Sequence, residues 1–181
     1  MPEPDLVARR KRERLRRSFQ PRRVRLLFVG ESPPASGRFF YRRDSGLYRA
    51  LRDTFFAADP SLREETFLGA FQAAGCYLLD LCPEPVDHLP PGPRRAVCLA
   101  GEGALAATIA ALQPDAIATV VRSIEPNAAA AARLAHWNGV FLHLPYPGRW
   151  SRSRRAFMDE LTPYLATLLD QCPQFPSALV E

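Results

Sequence analysis

The sequence predicts an α/β protein, a three-layer αβα sandwich built on a four-stranded parallel sheet, and three observations carry that reading. Four apolar runs of strand length fall near residues 24–30, 76–81, 116–121 and 140–144. Ten or more residues of helical pattern separate them, the spacing of βαβ units, whose right-handed crossovers put helices on both faces of the sheet. Gly, Pro and Asp gather where the runs stop, as strand-to-helix turns demand.

Taken in order, the first 25 residues end in the basic segment ARRKRERLRRSFQPRRVR, residues 8–25. Residues 1–25 hold nine Arg and Lys11 against Glu3, Asp5 and Glu13, a net of +7, whereas the rest of the chain carries a net of −2. Residues 1–23 are therefore read as a basic arm, 24–172 as a single domain and 173–181 as an irregular tail. Such an arm suits a phosphate backbone through counterion release. It equally suits a helix whose Arg stems cover a sheet edge.

The first strand ends at Gly30, and Glu31-Ser32-Pro33-Pro34 follows. The two prolines fix their φ angles, so Glu31 sits on stiff backbone. After Ser36-Gly37-Arg38-Phe39-Phe40-Tyr41 an amphipathic helix is expected over 45–57. Asp59-Pro60-Ser61 breaks the chain, and 61–75 reads as a second helix ending at Gly75. The strand 76–81 closes in Pro83-Glu84-Pro85, a Pro-rich loop runs from Val86 to Pro93, and a long helix covers 94–112, stopped before Pro114. Pro126 starts a helix to about 136. After the last strand, Ser151 or Ser153 is expected to cap the final helix, and Pro163 to kink or restart it.

In parallel sheets every strand delivers its following loop to the same edge, where open α/β sheets keep their chemistry. Here that edge collects Glu31, Phe40, Asp80, Arg149, Trp150 and Arg152 around one cleft. Other motifs carry less. GEGALAA, Gly101 to Ala107, is mid-helix and reads as packing. Ser32 lacks the GxSxG elbow of a serine hydrolase. Cys76, Cys82, Cys98 and Cys172 form no CxxC pair, so a zinc site is not expected. No apolar run approaches membrane-span length and no signal-type core opens the chain. A cytoplasmic monomer without membrane association is the expectation.

With these loops in place the chain resembles the uracil-DNA glycosylase superfamily, most closely its iron–sulfur branch. GESPP looks like that branch's first motif and SGRFF like the following segment, in which a Phe stacks on the extruded base. YLLDLCPEP is similar to the base-reading strand, LQPDAIATV to the third strand, and LPYPGRWSRSRRAF occupies the place of the closing motif. The resemblance spans about residues 24–170. It implies that Glu31 orients or activates water, with His143 the nearest residue to the closing-motif His. It further implies substrate contacts from Gly30, Ser32, Pro33, Phe40, Tyr41 and Asp80. DNA would be met by Arg38, Arg42, Arg43, Arg149, Trp150, Arg152 and Arg154.

The departures are specific. Asp80 stands where the branch has its base-reading Asn. Leu144 stands where it has His, and His143, one residue away on a strand, points to the opposite face. Cys82 and Cys98 match one cluster pair but the other pair is missing, so no cluster, metal or other cofactor is expected. The implied activity is excision of a damaged or deaminated base by N-glycosidic hydrolysis with base flipping, DNA being the partner. The rival is a non-catalytic nucleic-acid- or nucleotide-binding protein on the same fold.

Overall fold

The structure is a computed structural model and describes residues 3–148 and 150–171. Four strands, β1 (Leu26–Gly30), β2 (Cys76–Asp80), β3 (Ala116–Thr119) and β4 (Val140–His143), form one sheet in the order β2-β1-β3-β4. All three pairings are parallel, so the predicted α/β class and four-stranded parallel sheet hold. β1 is buried throughout and β3 likewise, which is why both read as continuous apolar runs rather than alternating ones. β4 is the partly exposed edge.

Among the described residues six helices flank the sheet: α1 (Glu3–Ser18), α2 (Gly46–Ala58), α3 (Phe67–Ala73), α4 (Pro91–Leu112), α5 (Glu125–Leu134) and α6 (Ser151–Asp170). α4 packs on α5, and α2 on α6. The chain steps from β1 outward to β2, then back across to β3 and on to β4, so the winding reverses between β1 and β3. That reversal leaves a crevice outside the carboxyl ends of those two strands.

Several boundaries differ from expectation for local reasons. The segment 61–75 becomes a 3-10 turn, Glu64–Thr66, followed by a helix only from Phe67. α4 starts at Pro91 rather than 94, because proline's fixed φ suits the first helical turn, where its missing N–H would be unpaired anyway. Neither Ser151 nor Ser153 caps α6: Trp150 holds the N-cap position without a side-chain bond. α6 also runs unbroken through Pro163, which lies on its exposed side.

α4 corrects a second expectation: its 22 residues are long and apolar enough to match a membrane span by length and composition. Its apolar side chains are divided: Cys98, Leu105 and Ile109 on its inner side belong to the protein core, while Val97 and Leu99 are exposed. Gly101 is required in its middle, since a Cβ there would stand 2.6 Å from the Leu81 carbonyl oxygen.

The basic segment is a helix docked along the free edge of β2. Gln72 donates to the Ser18 and Gln20 carbonyls, the Arg16 guanidinium lies 5.5 Å above the Tyr77 ring, and Arg12 reaches Glu84 at 3.0 Å. α1 therefore runs antiparallel to β2. Arg12 and Arg16 serve packing, while Arg9, Arg10, Lys11, Arg14 and Arg17 are exposed. Both readings of the segment thus find residues.

Candidate functional site

The end of β1 is pinned before any side chain is considered. Leu81 N–H donates to the Gly30 carbonyl and Cys82 N–H to that of Glu31, each at 2.8 Å, so the β1–β2 pairing continues past both strand ends. Ser32 Oγ accepts from the Val86 N–H at 3.2 Å, and the Asp87 carboxylate accepts from Ala35 N–H. Pro33 is buried beneath. The motif loop is thereby tied twice to the loop after β2.

This frame surrounds a cleft of about 640 Å³ at the switch point between β1 and β3. Gly30, Glu31, Ser32 and Pro33 line it together with Phe40, Asp80, Arg38 and Arg154. Those eight predicted residues are brought together.

Glu31 projects from the loop into a bidentate ion pair with Arg94 on the first turn of α4, Nε to Oε1 being 2.8 Å and Nη2 to Oε2 closing the second contact. The Glu31 side chain is 12% exposed and that of Arg94 37%. The Cys98 thiol approaches Glu31 Oε1 at 3.8 Å from behind and lies 3.7 Å from Cys82 Sγ. Burial pushes both thiols up, Cys82 to about 12, so they behave as inert core groups. Among the described residues no group of three or more His, Cys, Asp or Glu side chains stands where it could hold a metal ion.

Asp80 ends β2 directly opposite Gly30. A Cβ at Gly30 would be 2.4 Å from Asp80 Oδ1, so glycine is what lets the carboxyl lie across the strand end. No hydrogen bond or ion pair holds this carboxyl among the described residues. Burial pushes its pKa up to about 7, against the pull of Arg16 and Arg12 on α1. Arg94 pairs with Glu31 and does not reach Asp80.

The aromatic segment divides its work. Phe40 touches the cleft but is only 3% exposed, ringed by Tyr41, Tyr48, Phe67 and Phe71. Phe39 lines the cleft as well. Tyr41 does not line it. Its hydroxyl accepts from Leu78 N–H at 2.8 Å and donates to the Leu78 carbonyl at 3.0 Å, closing the outer edge of β2. Burial pushes that phenol well above its ordinary range. The Tyr41 assignment is corrected to a structural one.

His143 is also corrected. It is exposed on edge strand β4, stacked 5.1 Å from Phe141, with Nδ1 3.5 Å from Glu125. It does not line the cleft, and Leu144 beside it is buried, as strand alternation dictates. Arg42, Arg43, Trp150 and Arg152 are exposed but likewise absent from the cleft wall. Arg149 lies outside the described residues.

Among the lining residues that escaped sequence reasoning are Arg94, Arg49, Tyr146 and Asp87. Arg49 had a legible signal, because it lies one turn beyond Ser45, whose Oγ accepts from Tyr48 N–H at 3.1 Å and starts α2 at the cleft mouth. Arg94 had a weaker one, in the first turn of a helix that begins at the same edge as β1 ends.

Fold and site together define a doubly wound α/β protein with three carboxyl groups, those of Glu31, Asp80 and Asp87, and an arginine rim in its switch-point cleft. No protein-family model matches the chain, and no curated protein matches it.

Proposed function

We propose that this chain is a DNA N-glycosylase of the uracil-DNA glycosylase type, acting in the cytoplasm as a monomer on a damaged or deaminated base. The observation that carries the reading is Glu31, held on rigid backbone at the mouth of a cleft with aromatic walls and an arginine rim. An extruded nucleotide is the ligand such a cleft suits.

In this reading Phe39 and Phe40 flank the base, and the phosphates meet Arg38, Arg49 and Arg154. Glu31 performs the chemistry. The bidentate pair with Arg94 uses one lone pair on each oxygen and fixes the carboxylate plane, and the Cys98 thiol meets Oε1 from behind, which leaves the second lone pair of Oε2. That lone pair can accept a water hydrogen while the negative charge stabilises the oxocarbenium-like sugar. The outward basic face of α1 adds sequence-independent DNA affinity.

One observation favours the rival, a protein that binds nucleic acid or nucleotides without cleaving them. His143 stands outside the cleft, and loss of one charge-stabilising donor typically lowers rate by about 10²–10³. A strand-cleavage screen with alkaline work-up, over duplexes that each carry one lesion, separates the two. Breaks at a lesion support excision. Tight binding with no break at any lesion assigns the fold to the rival.

A further inference from the structure

We infer that the cleft reads the N1–H and N2–H₂ edge of a guanine, and that the base it removes is a guanine alkylated at N7. This inference rests on the base-excision reading and names its substrate class.

Asp80 lines the cleft at the end of β2 and has no hydrogen-bond or ion-pair partner among the described residues. The carboxyl lies across the Gly30 backbone, on which a Cβ would meet Oδ1 at 2.4 Å. An ionised carboxyl only accepts, and its two oxygens match two donors side by side. Uracil and hypoxanthine offer one donor next to a carbonyl acceptor, and adenine and cytosine one donor next to a ring-nitrogen acceptor. Guanine alone among these presents two adjacent donors. Burial raises the Asp80 pKa to about 7 against the pull of Arg16 and Arg12 on α1, and the two donors of a guanine edge would draw it back toward the ionised form. At about 640 Å³ the cleft admits a purine. A guanidinium or amidine would match the carboxylate too, but Arg38, Arg49 and Arg154 at the rim repel a cation and attract a polyanion.

The same carboxylate constrains the leaving group. A neutral base departs as an anion, beside Asp80 and with no histidine among the described residues that line the cleft. A guanine alkylated at N7 carries a positive charge before cleavage. As the C1′–N9 bond breaks, its electron pair passes to N9 and neutralises the ring, so the base leaves uncharged and needs no proton. The sugar takes up the positive charge facing Glu31. Water adds its oxygen to C1′ and gives its proton to Glu31, leaving an abasic sugar. Asp80 thus opposes an anionic leaving group and favours a cationic one.

The test uses the full chain and duplexes that each carry a single N7-methylguanine, uracil, hypoxanthine or unmodified guanine. Free base is measured by chromatography and mass spectrometry above the protein-free rate, since N7-methylguanine is also lost spontaneously. The expected result is release of N7-methylguanine ~10-fold or more faster than uracil, the scale of one good two-donor contact. Asp80→Asn, which keeps the shape but not the second acceptor, should lower that release at least about tenfold. Gly30→Ala, which displaces Asp80, should lower it too. Release of uracil or hypoxanthine without N7-methylguanine overturns this inference and leaves base excision standing. Release of no base overturns both. Release of N7-methylguanine that survives both variants removes Asp80 as the reader.

Discussion

Replacing Asp80 with Asn should stabilise the protein, and by an amount that grows with pH. The carboxyl ionises near 3.8 in an ordinary setting and at about 7 in the fold, where burial opposes its charge. Below pH 4 it is protonated in both folded and unfolded chains and its burial is tolerated. Between pH 4 and 7 the unfolded chain releases the proton while the folded chain keeps it, so wild-type stability falls. Above 7 both forms are ionised and the loss levels off, at about 4 kcal/mol for a gap of this size. The amide of the Asp80→Asn variant is neutral throughout. The difference in stability, variant minus wild type, should therefore grow by about 3 kcal/mol from pH 5 to pH 8. Urea denaturation of both proteins at pH 5, 6, 7 and 8 measures it, with slopes checked for equality so that midpoint shifts report stability. Other titrating groups are common to both chains and cancel. Parallel stability–pH curves, or a variant that loses ground as pH rises, would refute the argument that Asp80 is partly buried and unpaired.

Two further predictions concern the scaffold. Gly101→Ala places a Cβ 2.6 Å from the Leu81 carbonyl oxygen, a backbone atom that cannot yield cheaply; it should destabilise by about 1–3 kcal/mol. Gly103→Ala on the same helix meets open space and should stabilise by about 0.5–1 kcal/mol, so opposite signs in paired denaturation curves are expected and equal signs would contradict the α4 placement. On α1, replacing the exposed Arg10, Arg14 and Arg17 by Ala should reduce the log–log salt slope of DNA affinity, by up to about 0.9 per lost phosphate contact, with little change in stability. Arg16→Ala should instead lower stability, since it removes the contact over Tyr77; a reversed pattern would mean that α1 docks differently.

What the sequence made legible was the part governed by local pattern. Buried parallel strands appear as unbroken apolar runs, and βα spacing sets the sheet direction, so the four strands and the edge that holds Glu31 and Asp80 could be read directly. Contacts between distant segments were less legible. Nothing local indicates that Arg94 rather than another cation would meet Glu31, 63 positions away, or that Tyr41 would spend its hydroxyl on a backbone edge. Tyr41 looked like a substrate contact because it follows Phe39 and Phe40; the 3-10 turn Phe40–Arg42 directs it to β2 instead. His143 was legible in one respect, since a one-residue offset on a strand reverses the face. The continuous α6 shows the limit of reading proline as a breaker: at an exposed helix position, packing of Phe157, Leu161, Leu165 and Leu168 in the core outweighs one lost backbone bond.

The central claim is that Glu31 in the switch-point cleft cleaves a base from DNA, and single-turnover release of free base by wild type and Glu31→Gln tests it most directly. Gln keeps the size of the side chain but removes its charge and its capacity to take a proton. Wild type should release a base from at least one lesion duplex, and Glu31→Gln should lower that rate by about 10²–10³ or more while DNA affinity stays within about threefold, a difference of less than 1 kcal/mol. A variant that releases base at the wild-type rate would contradict the account, as would a wild-type protein that binds every duplex and releases nothing.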